Sequence, residues 1–143
     1  MIHHILLRTF AHATEDVSRV KAALQLLLPE DSEIKSTRTE GHFGNPITIL
    51  EAKLEKRHYK SFLDVLGNLS KAELLQMRDE LKRHVDDDCN FYVRFDKQAA
   101  YEGDIRLAQT EDSVAIKMKI MSYPARRENA VKLMERLLDA QLL

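Results

Sequence analysis

Cysteine is almost missing from this chain. A lone Cys89 among 143 residues excludes an internal disulfide, so nothing depends on an oxidising compartment and the expected setting is a reducing cytoplasm. Four glycines and three prolines leave little room for linkers, and residues 1–143 read as one domain. An excess of positive charge is missing too. The 22 Lys and Arg are balanced by 23 Asp and Glu, for a net charge of −1, so any affinity for phosphates has to come from local clustering. Long apolar runs are also lacking. The opening stretch from Met1 to Arg8 ends its apolar run too early for a signal peptide or a membrane span, which argues against a membrane partner.

What remains is the composition of an ordered protein. The hydrophobic share is 44% and the charged share 31%, enough apolar surface to offset the entropy of ordering. A domain near this length buries roughly 70% of the surface its unfolded chain exposes, so it can hold a core without staples.

Along the chain, residues 2–10 suit a strand covered by its neighbours. Thr14 offers a helix cap ahead of Val17, Val20, Leu24 and Leu27 at helical spacing, and Pro29 closes that helix. Residues 33–40 read as a polar strand, and the run Gly41 to Pro46 as a hairpin connection. Ile47 to Leu54 then form a strand that changes its buried side or is covered on both. Phe62, Leu66 and Leu69 mark a second helix. Ser70 and Glu73 have the spacing of a capping box that opens a third, carrying Leu74, Met77, Leu81 and Val85.

After the acidic turn Asp86–Asp88 the period becomes two. Phe91, Val93 and Phe95 point one way while Tyr92, Arg94 and Asp96 point the other, the pattern of a sheet with one open face. Arg106, between Ile105 and Leu107, marks a short further strand. Val114, Ile116, Met118 and Ile120 alternate with Ala115, Lys117, Lys119 and Met121 in the last one. Pro124 suits the first turn of a closing helix with Ala130, Met134 and Leu137 inside. The expected order is β-α-β-β-α-α-β-β-β-α, an α+β fold of two layers. Its helices lie on one face of a mostly antiparallel or mixed sheet.

Catalytic signatures are missing. There is no glycine-rich phosphate loop, nucleophile elbow or dinucleotide fingerprint, and the six histidines show no ligand spacing, so neither a cofactor nor a metal is expected. Cys89 follows three aspartates that disfavour a thiolate, and it reads as a small packed residue. Basic residues are more informative. Lys117 and Lys119 share the polar phase of their strand, and Arg94 and Arg106 the polar phase of theirs. In-register pairing would make a basic plate carrying Tyr92, able to hold phosphates and stack a base. Arg126 and Arg127 sit where cations oppose a helix dipole, which an anion docked there would relieve. Lys97 and Gln98 follow a strand end and are candidates for contact, as are the loop residues His12, His42 and Asn45.

Four segments, AHATED (Ala11–Asp16), EGHFGNPI (Glu40–Ile47), RFDKQAAYEG (Arg94–Gly103) and YPARRENA (Tyr123–Ala130), occur in an order that resembles one archaeal family. Its members are small proteins described as RNA-binding and as predicted exosome-associated subunits. The resemblance implies a fold similar to the large-subunit ribosomal protein that binds 5S RNA, and a cytoplasmic setting. It transfers no functional residues. The leading reading is therefore a non-catalytic RNA-binding protein, an accessory to RNA processing or the exosome. Its contacts are expected from Tyr92, Arg94, Lys97, Arg106, Lys117, Lys119, Arg126 and Arg127. The alternatives are a protein-interaction subunit or homodimeric scaffold using the open sheet face, and a hydrolase built on His12 or His42.

Overall fold

A computed structural model describes residues 1–30, 32–41 and 43–143. Five strands, β1 (Ile2–Ala11), β2 (Lys35–Glu40), β3 (Pro46–Glu55), β4 (Asn90–Asp96) and β5 (Ser113–Ile120), form one sheet in the order β2-β3-β1-β5-β4. Every neighbouring pair is antiparallel. The helices are α1 (Val17–Leu26), α2 (Tyr59–Leu66), α3 (Lys71–Asp79), the short α4 (Lys97–Tyr101) and α5 (Arg127–Gln141).

Alternation in the strands decides which side the helices cover. On β1, Ile5, Leu7, Thr9 and Ala11 are buried while Leu6, Arg8 and Phe10 are exposed. Phe91, Val93 and Phe95 of β4 and Val114, Ile116, Met118 and Ile120 of β5 fall on the buried side, as their period predicts. Against this surface pack Val20 and Leu24 of α1, Phe62 and Leu66 of α2, Met77 of α3, and Met134 and Leu138 of α5. Each fully buried large apolar side chain stabilises the fold by about 1.5–3 kcal/mol relative to exposure. The two-layer α+β architecture is thus the one expected, with an all-antiparallel sheet.

Local differences have local causes. The strand expected around Arg106 shrinks to one bridge, Phe95 to Leu107. Asp96 accepts the N–H groups of Gln98 and Ala99 at 2.9 and 3.2 Å, which turns the chain into α4 instead of a hairpin. Gly103, at φ +79°, then reverses the chain in a conformation that disfavours other residues. Helix α1 is capped by Asp16, which accepts from the Ser18 N–H at 2.9 Å, and not by Thr14. The Ser70–Glu73 capping box is formed. Glu73 is stretched further, since its second carboxylate oxygen accepts the Leu107 N–H at 2.7 Å. Helix α3 ends at Asp79, and Leu81 and Val85 reach the core from a 3-10 turn and the segment after it. Helix α5 begins at Arg127, so Pro124 precedes it.

Candidate nucleic-acid interface

The sheet face turned away from the helices gathers side chains from all five strands. Pairing register aligns Lys53, Leu6, Lys117 and Tyr92 in one row across β3, β1, β5 and β4. The next row runs Lys35, Glu51, Arg8, Ala115 and Arg94, starting from β2. Lys119 and His4 lie opposite each other one row further along. Ala115 is the small residue in the middle, and the face is concave around it, with an open volume of about 810 Å³ bordered by Leu6, Arg8, Lys53, Tyr92, Arg94 and Lys117.

Charge on this face is mostly positive. Glu33, Glu51 and Glu55 interrupt it, Glu51 lying 3.7 Å from Arg8. The His4 imidazole registers the field: it titrates below its ordinary value, first through desolvation and then because His3, Lys53 and Lys117 disfavour its charged form, against Glu55.

Two aromatic rings complete the face, Phe10 and Tyr92, each 41% exposed. The Arg8 guanidinium carbon lies 5.5 Å from the Phe10 ring centre, and the Lys117 ammonium 6.0 Å from that of Tyr92. Tyr92 is held at its tip, where its hydroxyl donates to the Asp86 carboxylate at 3.0 Å. Desolvation, that bond and the charges of Asp86 and Asp88 push its phenol above the ordinary value. Asp86 organises the acidic turn, accepting from the N–H groups of Asp88 and Asn90 as well. Among the described residues no cluster of His, Cys, Asp and Glu is arranged to hold a metal, and no helix is long and apolar enough to cross a membrane.

The structure therefore brings Tyr92, Arg94, Lys117 and Lys119 together, with the Lys119 ammonium donating to the Asp88 carbonyl. It separates the other candidates. Lys97 is a correction: its side chain is 2% exposed. Its ammonium donates to the Phe10 carbonyl at 2.9 Å, Glu15 at 3.0 Å and Asp112 at 2.8 Å, so all three donors are used inside the fold. Gln98 is exposed but donates to Asp112 at 2.8 Å as part of the same clasp, and the His12 backbone N–H is held by Glu15 at 3.1 Å.

Arg106 lies off the plate in a loop, paired with Asp104 at 2.6 Å above a cleft that also holds Asp96 and Glu73. Arg127 belongs to the helical layer and donates to the carbonyls of Val85, at 2.8 Å, and Lys82. Those two bonds use part of its guanidinium, and the residue stays exposed. Arg126 is exposed at the N-cap position of that helix without a side-chain capping bond. Asn45 sits in the hairpin turn, accepting the Gly41 N–H through its carbonyl at 2.6 Å, and His42 lies outside the described residues. Arg8, Lys35, Lys53 and Phe10 are on the plate and escaped the sequence reading. The signal for Arg8 and Phe10 was the alternation of Leu6, Arg8 and Phe10 with their buried neighbours, and Lys35 and Lys53 are placed there by cross-strand register.

Residues 4–120 match the family described as RNA binding, a span that ends with β5 and holds nearly the whole sheet. The chain belongs to the RNA-binding family. It is 38% identical to the RNA-binding protein PAB1135 of Pyrococcus abyssi, over 97% of this chain and 95% of that protein. Among solved structures it resembles protein AF2318 of Archaeoglobus fulgidus, at 30% identity with a TM-score of 0.87 over 96% of this chain and 99% of that one. Mth689 of Methanothermobacter thermautotrophicus is similar at 32% identity and a TM-score of 0.82, over 96% of this chain and 98% of that one. Helix α5, with Arg126 and Arg127, lies outside the span matched to the RNA-binding family, whereas the basic face lies within it.

Proposed function

We propose that this protein binds RNA without acting on it chemically, through the concave sheet face. The observation that carries the reading is the convergence of Arg8, Lys35, Lys53, Arg94 and Lys117 from five strands onto one helix-free surface. Such an array neutralises phosphates and releases their counterions, a source of affinity that survives a total charge near zero because screening makes it local. Membership of the RNA-binding family and the name of the Pyrococcus relative support it. Within this reading an accessory role in RNA processing is the setting to test, with the exosome as one candidate assembly for co-purification.

The test is fluorescence anisotropy of a labelled mixed-sequence RNA across about 50 to 200 mM salt, a range over which phosphate contacts show as a linear fall in log affinity. Reversing Arg94 and Lys117 together to glutamate should lower affinity by more than about tenfold and flatten the salt slope, each lost contact removing about 0.7–0.9 from it. Arg126→Glu should leave both nearly unchanged. Equal loss from Arg126→Glu, or none from the face reversal, would remove the sheet face from the account.

A further inference from the structure

The basic face carries more than charge, and the additional features discriminate between forms of RNA. Phosphate neutralisation needs only cations, yet Leu6, Phe10 and Tyr92 are exposed among them at 37%, 41% and 41%. An A-form duplex offers phosphates, 2′-hydroxyls and a shallow groove, and it keeps its base faces stacked inside, so aromatic faces on the protein would find no flat partner. Unpaired bases do offer one. Any base can stack on a ring whatever its identity, while neighbouring cations follow the backbone.

The arrangement fits that division of labour. The Tyr92 hydroxyl is tied to Asp86 at 3.0 Å, so the ring is pre-set and its polar end is spent. Tyr92 aligns with Lys117 and Leu6, and Phe10 lies four residues beyond Leu6 on β1. Standard sheet spacings then put the two rings roughly 16 Å apart on a diagonal. Arg94, Ala115 and Arg8 form the row that crosses this diagonal, which places two guanidinium groups beside the path and a small side chain beneath it. Apolar Leu6 flanks this path in the Tyr92 row, where sugar and base edges of an unpaired strand could cover it, whereas a duplex backbone would leave it wet.

We infer that the face takes single-stranded RNA, one base stacking on Tyr92, another a short run of nucleotides away on Phe10, and the intervening phosphates meeting Arg8, Arg94 and Lys117. This rests on the sheet-face reading of function, and the experiment separates the two. Anisotropy is measured with a labelled single-stranded oligonucleotide of mixed sequence and with the same length closed into a perfect duplex, on the full chain and on Phe10→Ala, Tyr92→Ala and Tyr92→Phe.

The single strand should bind at least about tenfold more tightly than the duplex, and each alanine variant should lose roughly 5- to 100-fold on the single strand, the loss expected for a stacked base. Duplex binding should be nearly unaffected. Tyr92→Phe, which keeps the ring and loses only the tie to Asp86, should restore most of the affinity, and circular dichroism checks that each variant is folded. Equal affinity for both forms, or alanine variants that bind like the parent while the Arg94 and Lys117 reversal still abolishes binding, would overturn single-strand stacking and leave the phosphate plate standing. No binding to either RNA would overturn both.

Discussion

Replacing Lys97 by methionine removes an ammonium and keeps most of the bulk of its stem. The ammonium is the hub of a clasp joining the end of β1, the start of α1, helix α4 and the segment before β5. Without it the Phe10 carbonyl loses its lysine partner and two carboxylates face each other. Deleting one partner of a fully buried ion pair costs about 3–5 kcal/mol. Here the penalty is reduced, because the Asp112 side chain is 39% exposed and Glu15 keeps the Tyr101 hydroxyl at 2.7 Å. The expected loss is therefore about 2–4 kcal/mol. For a chain of this length that is a fall in Tm of roughly 8–16 °C. Thermal unfolding followed by circular dichroism measures it, and RNA affinity taken well below the transition should stay within about twofold of the parent. An unchanged Tm together with lost RNA affinity would show that the ammonium serves a ligand, and the clasp argument would fail.

Two further outcomes follow from neighbouring groups. Glu15 and Asp112 titrate below ordinary carboxylates: desolvation acts upward in each, but hydrogen bonds from Tyr101, the His12 backbone and Lys97 on Glu15, and from Lys97 and Gln98 on Asp112, outweigh it. A depressed folded pKa contributes stability above the unfolded value near 4 that disappears as pH falls through the folded value, so urea unfolding should show an acid loss that is shallower in Lys97→Met. Arg127→Ala removes two bonds to backbone carbonyls and should lower stability by about 1 kcal/mol with RNA affinity unchanged; a selective loss of RNA affinity would return this arginine to the interface.

The parts of the fold that could be read from sequence were those whose cause is local. Phe91, Val93 and Phe95 alternate within one strand, and Ser70 meets Glu73 within one turn, so both were legible. Lys97 was misread because its partners Glu15 and Asp112 lie 82 and 15 positions away, and a lysine after a strand looks solvated until they arrive. Asp96 carried two meanings, polar strand end and helix cap, and the second prevailed because two amides were within its reach. Arg8 and Phe10 escaped because Leu6 puts an apolar residue in the outward phase of β1, making both sides of that strand look covered. Lys53 and Lys35 join the plate only through cross-strand register, which no single segment encodes.

Because the chain totals −1, a cationic sheet face implies that the remaining surface is negative in sum. Much of that negative charge sits in turns, Asp86–Asp88 beside Tyr92 among them, so a polyanion drawn to the face would meet acidic borders that confine it there.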